Sequence, residues 1–182
     1  MKNIFFILVC ISVSFNVLAE SSRQKDSHEH GAANLKMVLE GEKLQIEFEV
    51  PSESLIGFEH FPKSQSNREN FSDAIKILSD PSRLFSMSSK AECLLVGMNI
   101  SQSLFSKEED HGHDEEEITE IHSEFKSNYS WNCHHLDEID SIGTQLMTFF
   151  PKIEEIRVNW ISNNGQGALE LESKEDRIKG WK

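Results

Sequence analysis

The sequence predicts an α+β fold, a mostly antiparallel sheet of about six strands with two helices and one disulfide. Three observations predict it. Apolar and polar residues alternate in successive pairs of segments, two segments with helical spacing separate those pairs, and two cysteines fall within alternating segments. Hairpins separated by helices do not make the crossover pattern of a doubly wound sheet, so antiparallel pairing is expected.

The first hairpin is the plainest. Ala33, Leu35, Met37 and Leu39 alternate with mostly polar neighbours, Gly41 turns the chain, and Leu44, Ile46, Phe48 and Val50 alternate again before Pro51. An apolar loop, Leu55 to Pro62, follows. Ser66 with Glu69 reads as a capping box, and Phe71, Ala74, Ile75 and Leu78 continue at helical spacing to the stop at Asp80-Pro81. A third strand is expected from Ala91 to Phe105; apolar residues on both of its faces place it centrally. The fourth carries Ile121, Phe125, Tyr129, Trp131 and Cys133 on one face and His122, Glu124, Lys126 and Asn128 on the other. Leu136, Ile139, Ile142, Leu146 and Phe149 outline a second helix, weakened by Gly143. Ile156, Val158 and Trp160, the turn Asn163-Asn164-Gly165-Gln166-Gly167, and Ala168 to Leu171 make the last hairpin.

The N-terminus reads as an export signal over residues 1–19, with Lys2, an apolar run from Ile4 to Leu18, and the small-residue cleavage site Val17-Leu18-Ala19. That run is short for a membrane span and is broken by Ser12, Ser14 and Asn16, so no stable membrane insertion is expected after cleavage. Residue Val9 before Cys10 argues against a lipid anchor. Residues 20–182 then form a single domain in the periplasm, with a net charge near -14 after loss of Lys2 from a chain of -13. Such an acidic chain is no nucleic-acid binder.

Cys93 and Cys133 remain, and an oxidising compartment favours pairing them, the alternative being two free buried thiols. A hairpin folded about position 113 sets Cys93 opposite Cys133, Leu95 opposite Trp131 and Gly97 opposite Tyr129, with about 4.5 to 5.5 Å between opposed Cα atoms.

Histidine is the chemical signal. The chain has eight, none in the signal, and they cluster with carboxylates. Zinc takes three or four imidazole or carboxylate ligands, and oxidised cysteines are not available to it. His28-x-His30 on an extended segment points both imidazoles one way; alone it is an exposed polar arm. His122-x-Glu124 offers the same spacing on a strand, or else an ordinary solvent face. Glu59-His60 lies among Phe58, Phe61 and Pro62, an apolar surround expected to exclude water, where a lone histidine is more often a satisfied core residue than a ligand. The segment 106–120 holds His111, His113, eight acidic residues and one lysine; it suits weak cation capture, or simple solvation. His134-His135 is held in reserve. No motif of a metalloprotease, serine hydrolase or phosphate-binding loop occurs. Binding is therefore expected, not catalysis, with a metal-dependent hydrolase or a structural envelope protein as the competing classes.

Taken in order, His28-x-His30-Gly31, Gly57-Phe58-Glu59-His60-x-Pro62, Ala91-x-Cys93, the histidine-and-acid loop, His122-x-Glu124-Phe125 through Tyr129 to Cys133, then Trp160 and Gly165-Gln166-Gly167-Ala168, resemble the ZrgA-type periplasmic zinc-uptake proteins. The resemblance covers nearly the whole mature chain. It implies a zinc-binding protein that assists zinc acquisition alongside a zinc ABC importer. With only His111 and His113, the loop is shorter than the family's histidine-rich loop.

Overall fold

A computed structural model describes residues 30–104 and 123–182. The expected signal segment, His28, the whole acidic loop 106–120 with His111 and His113, and His122 lie outside the described residues.

The first hairpin forms as its alternation dictates: β1 (Ala32–Glu40) pairs antiparallel with β2 (Lys43–Pro51), and Leu35, Leu44 and Phe48 are fully buried on one face. Chain direction then turns into a short helix, α1 (Ser52–Ile56), ended by Gly57 in the left-handed region at φ +89°. Next comes α2 (Gln65–Leu78), the expected amphipathic helix. Its cap is Ser64, not Ser66: the Ser64 hydroxyl accepts from the Asn67 N–H at 3.0 Å. A one-turn helix α3 (Pro81–Leu84) and a short strand β3 (Phe85–Ser86) lead to β4 (Cys93–Gln102) and β5 (Glu124–Cys133).

The segment expected as a second helix divides into three pieces: a 3-10 turn at Leu136–Glu138, the strand β6 (Ile142–Thr144), and α4 (Leu146–Phe149). Helical spacing misleads here because Ile139, Ile142 and Leu146 are all fully buried, and Ile142 and Gly143 gain ladder partners on β9 (Arg177–Ile178) while Gly143 and Thr144 pair with β3. Tertiary pairing overrides the local period. The last hairpin is β7 (Glu155–Ser162) with β8 (Gly165–Leu171).

The main sheet has six strands in the order β4-β5-β2-β1-β7-β8, and β3-β6-β9 form a small second sheet. The main sheet is mixed, not mostly antiparallel as expected, because β1 pairs β7 in parallel. Short turns enforce antiparallel neighbours; the long connection from Cys133 to Glu155 does not, and it crosses the sheet face before β7 is laid down. The described chain thus has four α-helices where two were expected.

Helices α1 and α2 and the second sheet cover one face of the main sheet. There Phe71 meets Phe125 at 5.7 Å, Phe85 meets Tyr129 at 5.5 Å, and the Tyr129 hydroxyl donates to the Leu78 carbonyl at 2.8 Å. The other face is polar. Lys36 and Lys126 alternate with Glu47 and Glu49 across three strands at 2.7 to 3.0 Å. Hydrogen bonds from the two lysines hold the Glu47 carboxyl low; burial pushes Glu49 up, but the same lysines outweigh it.

Cys93 and Cys133 are bonded, directly opposed on β4 and β5 with Cα atoms 3.9 Å apart, closer than the expected spacing. Closing a separation of 40 residues removes about 4 kcal/mol of unfolded-state freedom in the chain-entropy account. Leu95 faces Trp131 as the spacing predicts, but a bulge between Leu95 and Gly97 puts Gly97 against Ser130 and gives Tyr129 to Met98. Strand β4 is also not central. It is an edge, with Leu94 66% and Val96 67% exposed. Apolar residues on both faces signal a central strand only when a neighbour covers them, and no strand lies outside β4 among the described residues. At its far end, the Ser103 N–H donates to the Glu124 carbonyl at 3.1 Å and the Glu124 N–H to the Ser103 hydroxyl at 2.9 Å, clasping the base of the acidic loop.

Candidate metal centre

Strand direction decides which residues can meet. Because β5 is antiparallel to β2, and β2 to β1, while β7 is parallel to β1, the strands β1, β5 and β7 all begin at the same end of the sheet. The residues just before them, His30-Gly31, Ser123 and Lys152 to Glu154, gather there with the exit of β2 into α1.

Hydrogen bonds fix this gathering. The Gly31 N–H donates to the Ser54 hydroxyl at 2.9 Å, and the Gly31 carbonyl accepts from the N–H groups of Glu154 and Glu155 at 2.8 and 3.1 Å. The Ser123 hydroxyl donates to the Glu59 carbonyl at 3.1 Å, and the Ser52 N–H to the Ser123 carbonyl at 2.8 Å. The segment carrying Glu59 and His60 is thereby tied to the start of β5, and α1 to the start of β1.

His30 Nε2 lies 3.8 Å from Glu59 Oε1. That is too long for a hydrogen bond and close to the ~3.4 Å that separates two ligands at ~2.05 Å in a tetrahedral zinc site. Glu59 Oε1 is buried and has no hydrogen-bond partner. A buried carboxylate oxygen without a donor is costly unless something else satisfies it.

His60 is the next residue. Its Nδ1 lies 2.9 Å from the Phe61 carbonyl oxygen, an acceptor only, so Nδ1 carries the proton and donates, leaving the Nε2 lone pair free. Metal-bound histidines are held by this same outer hydrogen bond. The apolar surround does not exclude water as expected: Phe58 stacks on the imidazole at 5.1 Å, but His60 is exposed and Phe61 is 57% exposed.

The other expected ligands divide by position. Glu124 opens β5 on the polar face and forms no metal-holding group with His30 and Glu59 among the described residues. His134 and His135 follow Cys133 at the opposite end, roughly 30 Å away by the length of a nine-residue strand. His134 there lines a separate cavity with Trp181. No group of three His, Cys, Asp or Glu residues capable of holding a metal occurs among the described residues. Those residues therefore fit zinc as a pair only, a histidine and a carboxylate facing one another, with His60 adjacent to Glu59 in sequence but not grouped with the pair.

Sequence reasoning did not single out Glu53, Lys152 and Glu154, which share with His30, Gly31 and Ser54 a cavity of about 230 Å³. They read locally as ordinary surface charges; Glu53 arrives at the exit of β2, and only the parallel β1–β7 pairing brings in Lys152 and Glu154.

Among curated proteins, none matches the chain significantly. A sequence profile described as ZrgA family zinc uptake protein matches residues 27–180. That span takes in both described parts of the sheet, the disulfide and the His30–Glu59 pair, and the chain belongs to the ZrgA family of zinc uptake proteins.

Proposed function

We propose that the protein is a periplasmic zinc carrier that binds zinc as cargo, without catalysis, and works alongside a zinc ABC importer. The observation that carries this reading is the unpartnered, buried Glu59 Oε1 facing His30 Nε2 at 3.8 Å. Family membership supports zinc as the ion.

In this reading His30 and Glu59 bind directly and His60 joins through Nε2. His28 and His122, covalent near-neighbours of His30 and Ser123, complete the set. Glu124 contributes charge, and His111 and His113 in the acidic segment collect ions for transfer. With both cysteines oxidised, nitrogen and oxygen ligands are what the chain has to offer. The same imidazoles accept copper or nickel, so selectivity is a measured quantity.

Titration of the untagged protein against a competing zinc chelator tests this. Replacing His30 by Ala, Glu59 by Gln or His60 by Ala is expected to weaken zinc binding by at least about tenfold, the loss typical even of an outer-sphere partner. Imidazole must be neutral to bind, so affinity is expected to fall below about pH 6. Equal affinity at pH 7.5 and 5.5, values roughly either side of the imidazole range, would remove histidine from the site.

A further inference from the structure

The zinc site proposed above is bordered by a cation that the chain itself supplies. Lys152, in the turn before β7, directs Nζ to Glu53 Oε1 at 2.7 Å. Its side chain passes over the Gly57 corner, where an added Cβ would lie 3.4 Å from Nζ. Glu53 and Lys152 line the same cavity as His30. The second oxygen of Glu53 is buried and has no hydrogen-bond partner.

Charge around this mouth is unbalanced. Among the described residues, Glu53 and Glu154 line it against one ammonium, with Glu59 facing His30 beside it, and a divalent cation would neutralise what Lys152 leaves over. The lysine does not build the corner, because the Gly57 N–H closes it by donating to the Glu53 carbonyl at 2.9 Å. Nor does the pair hold the fold: Lys152 is 54% exposed, and exposed pairs contribute little.

We propose that Lys152 is a resident counter-cation that weakens zinc binding at the His30–Glu59 site and so keeps the cargo transferable. This rests on the zinc reading given above. A unit charge within about one Debye length, ~8–10 Å, of a divalent ion opposes binding by roughly fivefold before salt screening.

Chelator competition on Lys152→Met, which keeps the aliphatic stem, is expected to show zinc bound about five- to tenfold tighter, with the gain shrinking as salt is added. Lys152→Arg should bind like the unaltered chain. Glu53→Gln, which removes the opposing charge and leaves the ammonium, should bind more weakly. Unchanged or weaker binding by Lys152→Met overturns the proposal; if that variant unfolds, unchanged or tighter binding by Glu53→Gln does so instead. His30→Ala and Glu59→Gln separate the two failures. If both lose zinc while Lys152→Met gains nothing, the counter-cation alone is wrong, and if both bind normally, site and counter-cation fall together.

Discussion

Tyr129 is the single tyrosine of the chain, and its ring lies buried between Phe85 and Trp131. Burial pushes its phenol up to about 12, partly offset by Ser127. Phenolate absorbance in an alkaline titration therefore reads one residue, and its rise is expected near pH 12; a midpoint near the ordinary ~10 would place the ring in solvent. Since the folded state holds the proton more tightly, this group favours folding fully below about pH 10, and that contribution is lost as pH rises toward 12. At this scale the sequence was informative where a residue's chemistry limits its options. With Cys10 assigned to the expected signal, the other two of the three cysteines had one way to pair, and His30 and His60 stood out by type. Glu53 and Lys152 are common surface residues, and nothing within either one's neighbourhood predicts that a strand register will place them beside His30.

Elements were legible where pattern and burial agree. In β1 and β2 the period of two matches a single buried face, and in α2 the apolar stripe matches one packed side. Leu136 to Phe149 failed because its buried Ile139, Ile142 and Leu146 belong to a turn, a strand and a one-turn helix in succession, so their spacing reports no single helix. The Gly165-Gln166-Gly167-Ala168 segment, part of both the predicted hairpin and the family likeness, has a packing role. A Cβ at Gly167 would lie 2.3 Å from Trp160 Cζ2, and Trp160 in turn meets Trp181 edge-on at 6.4 Å. Gly167→Ala is expected to lower stability by about 1–3 kcal/mol, as overpacking does, and to weaken the near-ultraviolet dichroism of the tryptophan pair. A thermal midpoint equal to that of the unaltered chain would show that β8 gives way freely.

For the whole molecule, the parallel register of β1 and β7 is what the sequence concealed, since it depends on how a long connection crosses the sheet and leaves no periodic trace. That register adds the start of β7, with Lys152 and Glu154, to the end where His30 faces Glu59, and the disulfide lies at the other end. The exposed edge β4 is a liability of this arrangement, only partly blunted by its bulge. Val96→Lys is expected to reduce light scattering in concentrated solution while shifting stability by no more than about 0.5 kcal/mol and leaving zinc affinity unchanged; unaltered scattering would mean the edge is not what associates. The clasp between Ser103 and Glu124 has a different consequence. It anchors both stems of the histidine-bearing segment whatever lies between them, so that segment can grow or shrink at a penalty of only ~0.6 kcal/mol per doubling. Insertion or deletion between the two stems can in this way leave strand pairing as it is.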